Sequence, residues 1–132
     1  MPMHPGVYAD LLSDKMAEHG STAWLINTGW SGGAYGEGNR MKIKYTRAML
    51  NAALDGELDD VEFVVDDRFG FEIPTSCPGV PTEVLQPKTT WSDGEAYDTT
   101  ADKLALMFNE NFKRYKAGVS TEVNAAAPVP LA

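Results

Sequence analysis

Residues 23–50, AWLINTGWSGGAYGEGNRMKIKYTRAML, combine three features found together nowhere else in the chain. The apolar run Ala23-Trp24-Leu25-Ile26 predicts a buried strand over 23–27. A glycine-rich loop follows, with Gly29, Gly32, Gly33, Gly36 and Gly38. Arg40, Lys42, Lys44 and Arg47 then open a helix, with no acidic residue from Gly38 to Leu54. Glycine lets a ligand approach the backbone closely, and unpaired N–H groups at a helix start favour negative charge. The arrangement therefore suits an anion or a nucleotide.

Two familiar phosphate motifs do not fit it. Gly33 and Gly38 have the Walker A spacing, but Asn39-Arg40 follows where Lys-Ser/Thr is required. Gly36-Glu37-Gly38 supplies two glycines of a dinucleotide fingerprint, and Met41 stands where the third should be. Spacing alone leaves two readings open: a nucleotide site, or a glycine-rich connection leading into a solvated basic helix start.

The chain's 132 residues fit one domain, with roughly two thirds of the unfolded surface available for burial. A net charge of −8 argues against non-specific binding to nucleic acid or anionic membrane. No apolar run is long enough to span a bilayer. Met1-Pro2-Met3-His4-Pro5 has neither the basic start nor the apolar core of a signal peptide. Cys77 is the single cysteine, which excludes an internal disulfide and a cysteine-rich zinc site and suits a reducing cytoplasm.

Taken in order, Pro5 starts a helix whose apolar residues Val7, Tyr8, Leu11, Leu12 and Met16 share one face, expected to pack on the strand at 23–27. Gly20 reads as its left-handed cap, and His4 and His19 as surface or capping residues. Ile43–Leu54 reads as a second helix ended by Asp55-Gly56, with Thr46 near its first turn. The Thr46 hydroxyl can bond the local backbone or face a ligand at the loop. Eight carboxylates crowd residues 55–72. Within them Val61, Phe63 and Val65 suggest one strand and 69–73 another, joined as a hairpin through Asp66-Asp67-Arg68. Asp66 and Asp67 read as a solvated turn rather than a metal site. Four prolines between Pro74 and Trp91 predict an ordered, extended meander, where Cys77 is a weak nucleophile candidate. A long helix should start at Ser92 or Asp93 and carry the stripe Tyr97, Ala101, Leu104, Ala105, Phe108, Phe112 and Tyr115. From about Ala117 the composition predicts a disordered tail. The expected fold class is α/β: helix, strand, glycine-rich loop, helix, a small β section and a long C-terminal helix, with strand order unreadable.

Several stretches resemble the C-terminal part of ATP-dependent phosphoenolpyruvate carboxykinase. They are His4-Pro5-x-x-Tyr8-Ala9-x-Leu11-Leu12, Leu25-Ile26-Asn27-Thr28-Gly29-Trp30-Ser31-Gly32-Gly33, and Gly38-x-Arg40-Met41-x-Ile43-Lys44-x-Thr46-Arg47-Ala48. Phe71-Glu72-Ile73-Pro74, Cys77-Pro78-Gly79-Val80-Pro81 and the helix from Leu104 to Phe112 extend the match, which runs from about Met1 to Tyr115.

The resemblance implies that residues 1–116 are a segment of that enzyme's nucleotide-binding domain, with 117–132 as the tail. The complete enzyme converts oxaloacetate and ATP to phosphoenolpyruvate, ADP and carbon dioxide, with magnesium and manganese, in gluconeogenesis in the cytoplasm. The residues matching Arg40 and Met41 lie along the adenine, and that matching Thr46 contacts the nucleotide. Two departures bear on the site: Asn39 stands where the family usually has lysine, and Glu37 adds a negative charge to the loop. The phosphate loop, metal ligands and oxaloacetate-binding residues of such enzymes precede the matched region, so the chain looks like a fragment. Alone it is expected to be inactive, to lack its N-terminal partner sequence and to associate through exposed apolar faces. The competing expectation is a stand-alone, non-catalytic nucleotide-binding or protein-interaction module.

Overall fold

A computed structural model describes residues 3–131. Met1, Pro2 and Ala132, the first of the expected segment and the last of the expected tail, lie outside the described residues. The fold mixes helices with two small separate sheets.

Helix α1 spans Pro5–His19. His4 caps it by accepting the Gly6 N–H on its side chain, and Gly20 ends it in the left-handed region at φ 61°. Its apolar face does not pack as expected. Leu11 and Leu12 are exposed and Gly6 is its buried residue. Gly6 lies so close to the Gly118 carbonyl that a Cβ there would stand 2.4 Å from the oxygen.

The strand expected over 23–27 is absent. These residues have no regular structure, and Leu25 is 80% exposed. The reason is pairing: a strand needs a partner for its backbone, and none among the described residues runs alongside. Trp24 instead uses its ring, resting against the core and 6.1 Å from the Phe63 ring centroid. The β structure begins later, as a hairpin of β1 (Trp30–Ser31) and β2 (Asn39–Arg40), with Trp30 opposite Arg40 and Ser31 opposite Asn39. The glycine-rich segment is therefore the hairpin's loop, not a strand-to-helix turn. Helix α2, Ile43–Leu54, follows with the bounds its sequence predicts.

A second hairpin pairs β3 (Phe63–Val65) with β4 (Glu72–Pro74), antiparallel, with Val64 opposite Ile73. Asp66 organises its loop by accepting the N–H groups of Arg68 and Phe69 on one oxygen. The expected hairpin is present, with a loop three residues longer because Gly70 turns the chain at φ 69° before β4 starts.

The proline-rich segment is not an extended meander. It holds a short helix α3, Thr82–Leu85, and a 3₁₀ turn, Pro87–Thr90. Pro87 occupies the first turn of the latter, where a missing N–H costs nothing. Ala52, Leu58, Cys77, Val80 and Leu85 form the main core, lined by Tyr45, Met49, Val61 and Val84. Cys77 lies inside it, and burial pushes its thiol up from the usual range.

Helix α4 spans Gly94–Phe112 and is capped by Asp93, which accepts from the Glu95 and Ala96 N–H groups. The stripe is narrower than expected. Ala101 and Ala105 are buried, while Leu104 and Phe108 stay half exposed. The expected tail differs as well. Lys116–Gly118 forms a 3₁₀ turn and Thr121–Ala125 a short helix α5. Residues 128–131 then cross between α4 and the second hairpin. Val129 N–H donates to the Arg68 carbonyl at 2.7 Å, Asn109 donates to the Pro128 carbonyl, and Leu131 N–H donates to Asp102 at 2.8 Å.

Candidate functional site

Arg40, Met41 and Thr46 occupy one continuous turn of chain, from the end of β2 through the junction to the first turn of α2. The hairpin stem fixes where this turn starts. Met41 N–H donates to the Gly29 carbonyl at 2.8 Å, so Met41 continues the register set by Trp30 and Arg40. The bond flanks the Trp30–Arg40 pair, which makes that pair the non-hydrogen-bonded kind, whose side chains stand closest on one face. Trp30 is steadied from its other side by an edge contact with Tyr35, 5.1 Å between centroids.

The glycines keep the loop tight. Gly33 and Gly38 face each other: a Cβ on Gly38 would lie 2.5 Å from the Gly33 oxygen and 2.6 Å from the Ser31 oxygen. Gly32, at φ 78°, brings the stem against the 3₁₀ turn, where a Cβ would stand 2.7 Å from the Thr90 carbonyl. Asn39 and Glu37, the two departures, are exposed in this hairpin.

Arg40, Lys42, Lys44 and Arg47 make no ion pair among the described residues, whereas Lys15, Arg68, Lys88 and Lys113 each have a carboxylate partner. Lys44 instead lies 4.9 Å from the Tyr45 ring centroid, with Lys42 nearby. Helix α2 has no side-chain cap, and its first bonds go from Tyr45 and Thr46 N–H to the Lys42 carbonyl. The Thr46 hydroxyl has no protein partner among the described residues, while those of Thr75, Thr89, Thr90 and Thr100 all bond backbone carbonyls. The chemistry assembled here is an unneutralised guanidinium on a residue facing Trp30 across the hairpin, a half-buried thioether and a free hydroxyl.

That pattern sits in a recognisable sequence. The family model described as phosphoenolpyruvate carboxykinase matches residues 1–83, which include the whole site. The chain belongs to the phosphoenolpyruvate carboxykinase family. Phosphoenolpyruvate carboxykinase (ATP) of Rhodopseudomonas palustris strain BisB18 is 55% identical over 128 residues, 97% of this chain and 24% of the relative. The enzyme of the same name from Geotalea uraniireducens is 58% identical over 123 residues, 93% of this chain and 23% of the relative. Phosphoenolpyruvate carboxykinase (ATP) 2 of Moorella thermoacetica is 55% identical over 129 residues, 98% and 24% respectively. The chain thus spans about a quarter of the length of these carboxykinases.

A second polar constellation escaped the sequence reading. A cavity of about 520 Å³ lies between the second hairpin, the 3₁₀ turn and α4. Arg68 at its wall donates twice to Asp102, at 2.7 and 3.2 Å, and lies 3.3 Å from Asp98, which also pairs with Lys88 at 2.7 Å. Asp102 is 7% exposed. The Arg68 bond and the Leu131 N–H hold its carboxyl below the usual carboxylate range, and Asp102 in turn raises the Arg68 guanidinium further. Asp98 is lowered chiefly by Lys88. These charges satisfy one another and serve the joint between hairpin and helix. No group of three or more His, Cys, Asp or Glu side chains among the described residues is placed to hold a metal ion. No helix among them is long and apolar enough to cross a membrane.

Proposed function

We propose that this chain supplies the adenine contacts of an ATP-dependent phosphoenolpyruvate carboxykinase, within a nucleotide-binding segment formed by residues 1–116. The reaction is oxaloacetate plus ATP to phosphoenolpyruvate, ADP and carbon dioxide, a step of gluconeogenesis in the cytoplasm. The observation that carries the reading is the unneutralised guanidinium of Arg40 at the hairpin-to-helix junction. A planar guanidinium can lie on a purine and hydrogen-bond at its rim. Met41 covers an aromatic face with its thioether, and Thr46 offers its hydroxyl from the first turn of α2. These groups bind and orient the base. ATP supplies the phosphoryl group, and phosphoryl transfer demands positioned phosphates and metal. The polypeptide that completes the site is the remaining length of the carboxykinase, and the 132 residues by themselves are inactive.

NMR titration of the labelled chain with ATP tests this. Arg40, Met41 and Thr46 should shift saturably. Arg40→Ala should weaken binding roughly tenfold or more, about 1.4 kcal/mol. Lys88→Ala, which removes a cation already paired with Asp98, should leave binding intact. Equal losses from both substitutions, or from neither, would sink the assignment.

One feature favours a second reading as a protein-interaction module. Leu11, Leu12, Leu25, Ile43 and Leu54 are all more than half exposed. If that reading held, ATP would move no resonance and a protein partner would protect these residues.

A further inference from the structure

Helix α1 is joined to the far end of the chain by a small seam. His4 accepts the Gly6 N–H on Nδ1 at 3.1 Å and so caps the helix. The same ring lies on Gly118, where an added Cβ would stand 2.6 Å from its Cε1, and it meets the Tyr115 ring edge-on at 6.0 Å between centroids. Gly6, buried, is pressed against the Gly118 carbonyl. The seam ties the start of α1 to the arm that runs through α5 to residues 128–131, which bond Asn109, Arg68 and Asp102.

Only a neutral imidazole can hold this cap. Accepting at Nδ1 requires the ring's one proton to sit on Nε2. A second proton, which an ordinary imidazole takes at about pH 6.5, turns Nδ1 into a donor aimed at a donor. The new charge also stands at the positive end of the α1 dipole. The groups around the ring do not offset it. The first turn of α1 carries no acid, and Asp10 comes a turn later. No carboxylate pairs with His4 among the described residues, whereas His19 has Glu18 at 3.8 Å. From the other side come Tyr115, whose ring already has the Arg114 guanidinium 5.5 Å from its centroid, and Lys116 at the start of the 3₁₀ turn. We infer that His4 is a pH-sensitive latch: as neutral imidazole it closes the seam between α1 and the C-terminal turn, and as imidazolium it opens it. The seam is whole above the histidine range and loosens as pH falls through it. The hold on the arm that carries residues 128–131 loosens with it.

NMR and amide exchange of the 132-residue chain, taken from about pH 8 down to about pH 5, test this. Two amides report: Gly6, bonded to His4, and Gly118, which donates to the Tyr115 carbonyl at 3.1 Å. Their protection, corrected for the intrinsic pH dependence of exchange, should fall roughly fivefold, the loss of an ordinary helix cap. The fall should share its midpoint with the shift of the His4 ring protons. Asparagine keeps an oxygen acceptor and does not titrate, so His4→Asn should hold both amides across the range. His19→Asn alters an exposed ring at the other end of α1 and should leave the response as it was. Protection that stays constant while the His4 ring titrates overturns the latch. So does an equal fall in a folded His4→Asn, or a fall abolished by His19→Asn. If His4→Asn does not fold, the unaltered chain still decides: a shared midpoint upholds the latch and separate midpoints overturn it.

Discussion

Asp102 is the residue whose removal should matter most outside the proposed nucleotide site. It takes two bonds from Arg68 and one from the Leu131 main chain, in a nearly dry setting. Its carboxyl is held below its ordinary value, so its contribution is fully present above the unfolded carboxylate pKa, about 3.9, and is lost as pH falls through the lower folded value. Asp102→Asn should therefore lower the urea midpoint near neutrality, and the gap from the unaltered chain should close below about pH 4. A gap that stays constant into acid would contradict the assignment. Nothing in the sequence signalled this residue. It stands beside Ala101 in an apolar stripe, and a single acid there reads as the stripe's solvent edge. Its partner is 34 positions away, a distance no periodicity crosses. Arg40, Met41 and Thr46, by contrast, are near neighbours in a glycine-rich, basic run, and it is the resemblance to the carboxykinases that proposes them together as adenine contacts.

The helices were legible where local chemistry decides them. Gly20 takes the left-handed conformation its position predicts, and α2 starts and stops where its breakers stand. For α4 the sequence offered Ser92 or Asp93, and the carboxylate holds the first N–H groups. Strands were harder, because an apolar run announces burial but not a pairing partner. Residues 23–27 lack one, and β1 instead takes Trp30 and Ser31, split from β2 by the glycine loop. That loop has little room to change. Gly38→Ala would drive a methyl into two carbonyl oxygens at 2.5 and 2.6 Å, so the stem must open. The expected result is ATP binding weakened roughly tenfold or more, with helical circular dichroism kept. Tight ATP binding by a folded Gly38→Ala would show that the stem does not position Arg40.

For the molecule as a whole, the core is small for the apolar surface it must satisfy. Its buried apolar members run from Ala52 to Ala105, and among the described residues no large side chain is fully enclosed. Ile43, Leu54 and Leu25 stand 70–80% exposed. Large apolar side chains left this open to water seek cover. Size-exclusion chromatography with light scattering should show dimers or larger, persisting in salt because the contact is apolar. A monomer at high concentration would count against it. The region after Ala117 was misread for a related reason. Alanine and proline there announce no core of their own, and what they do is occupy a seam between two other elements. That seam changes where a recombinant version can sensibly be cut. Composition suggests trimming at residue 116. Such a cut would take away the carbonyl that Asn109 donates to, the amide that fills the Arg68 carbonyl and one of the three donors on Asp102. Any shortened version meant for crystals or spectra should therefore carry the chain through Leu131.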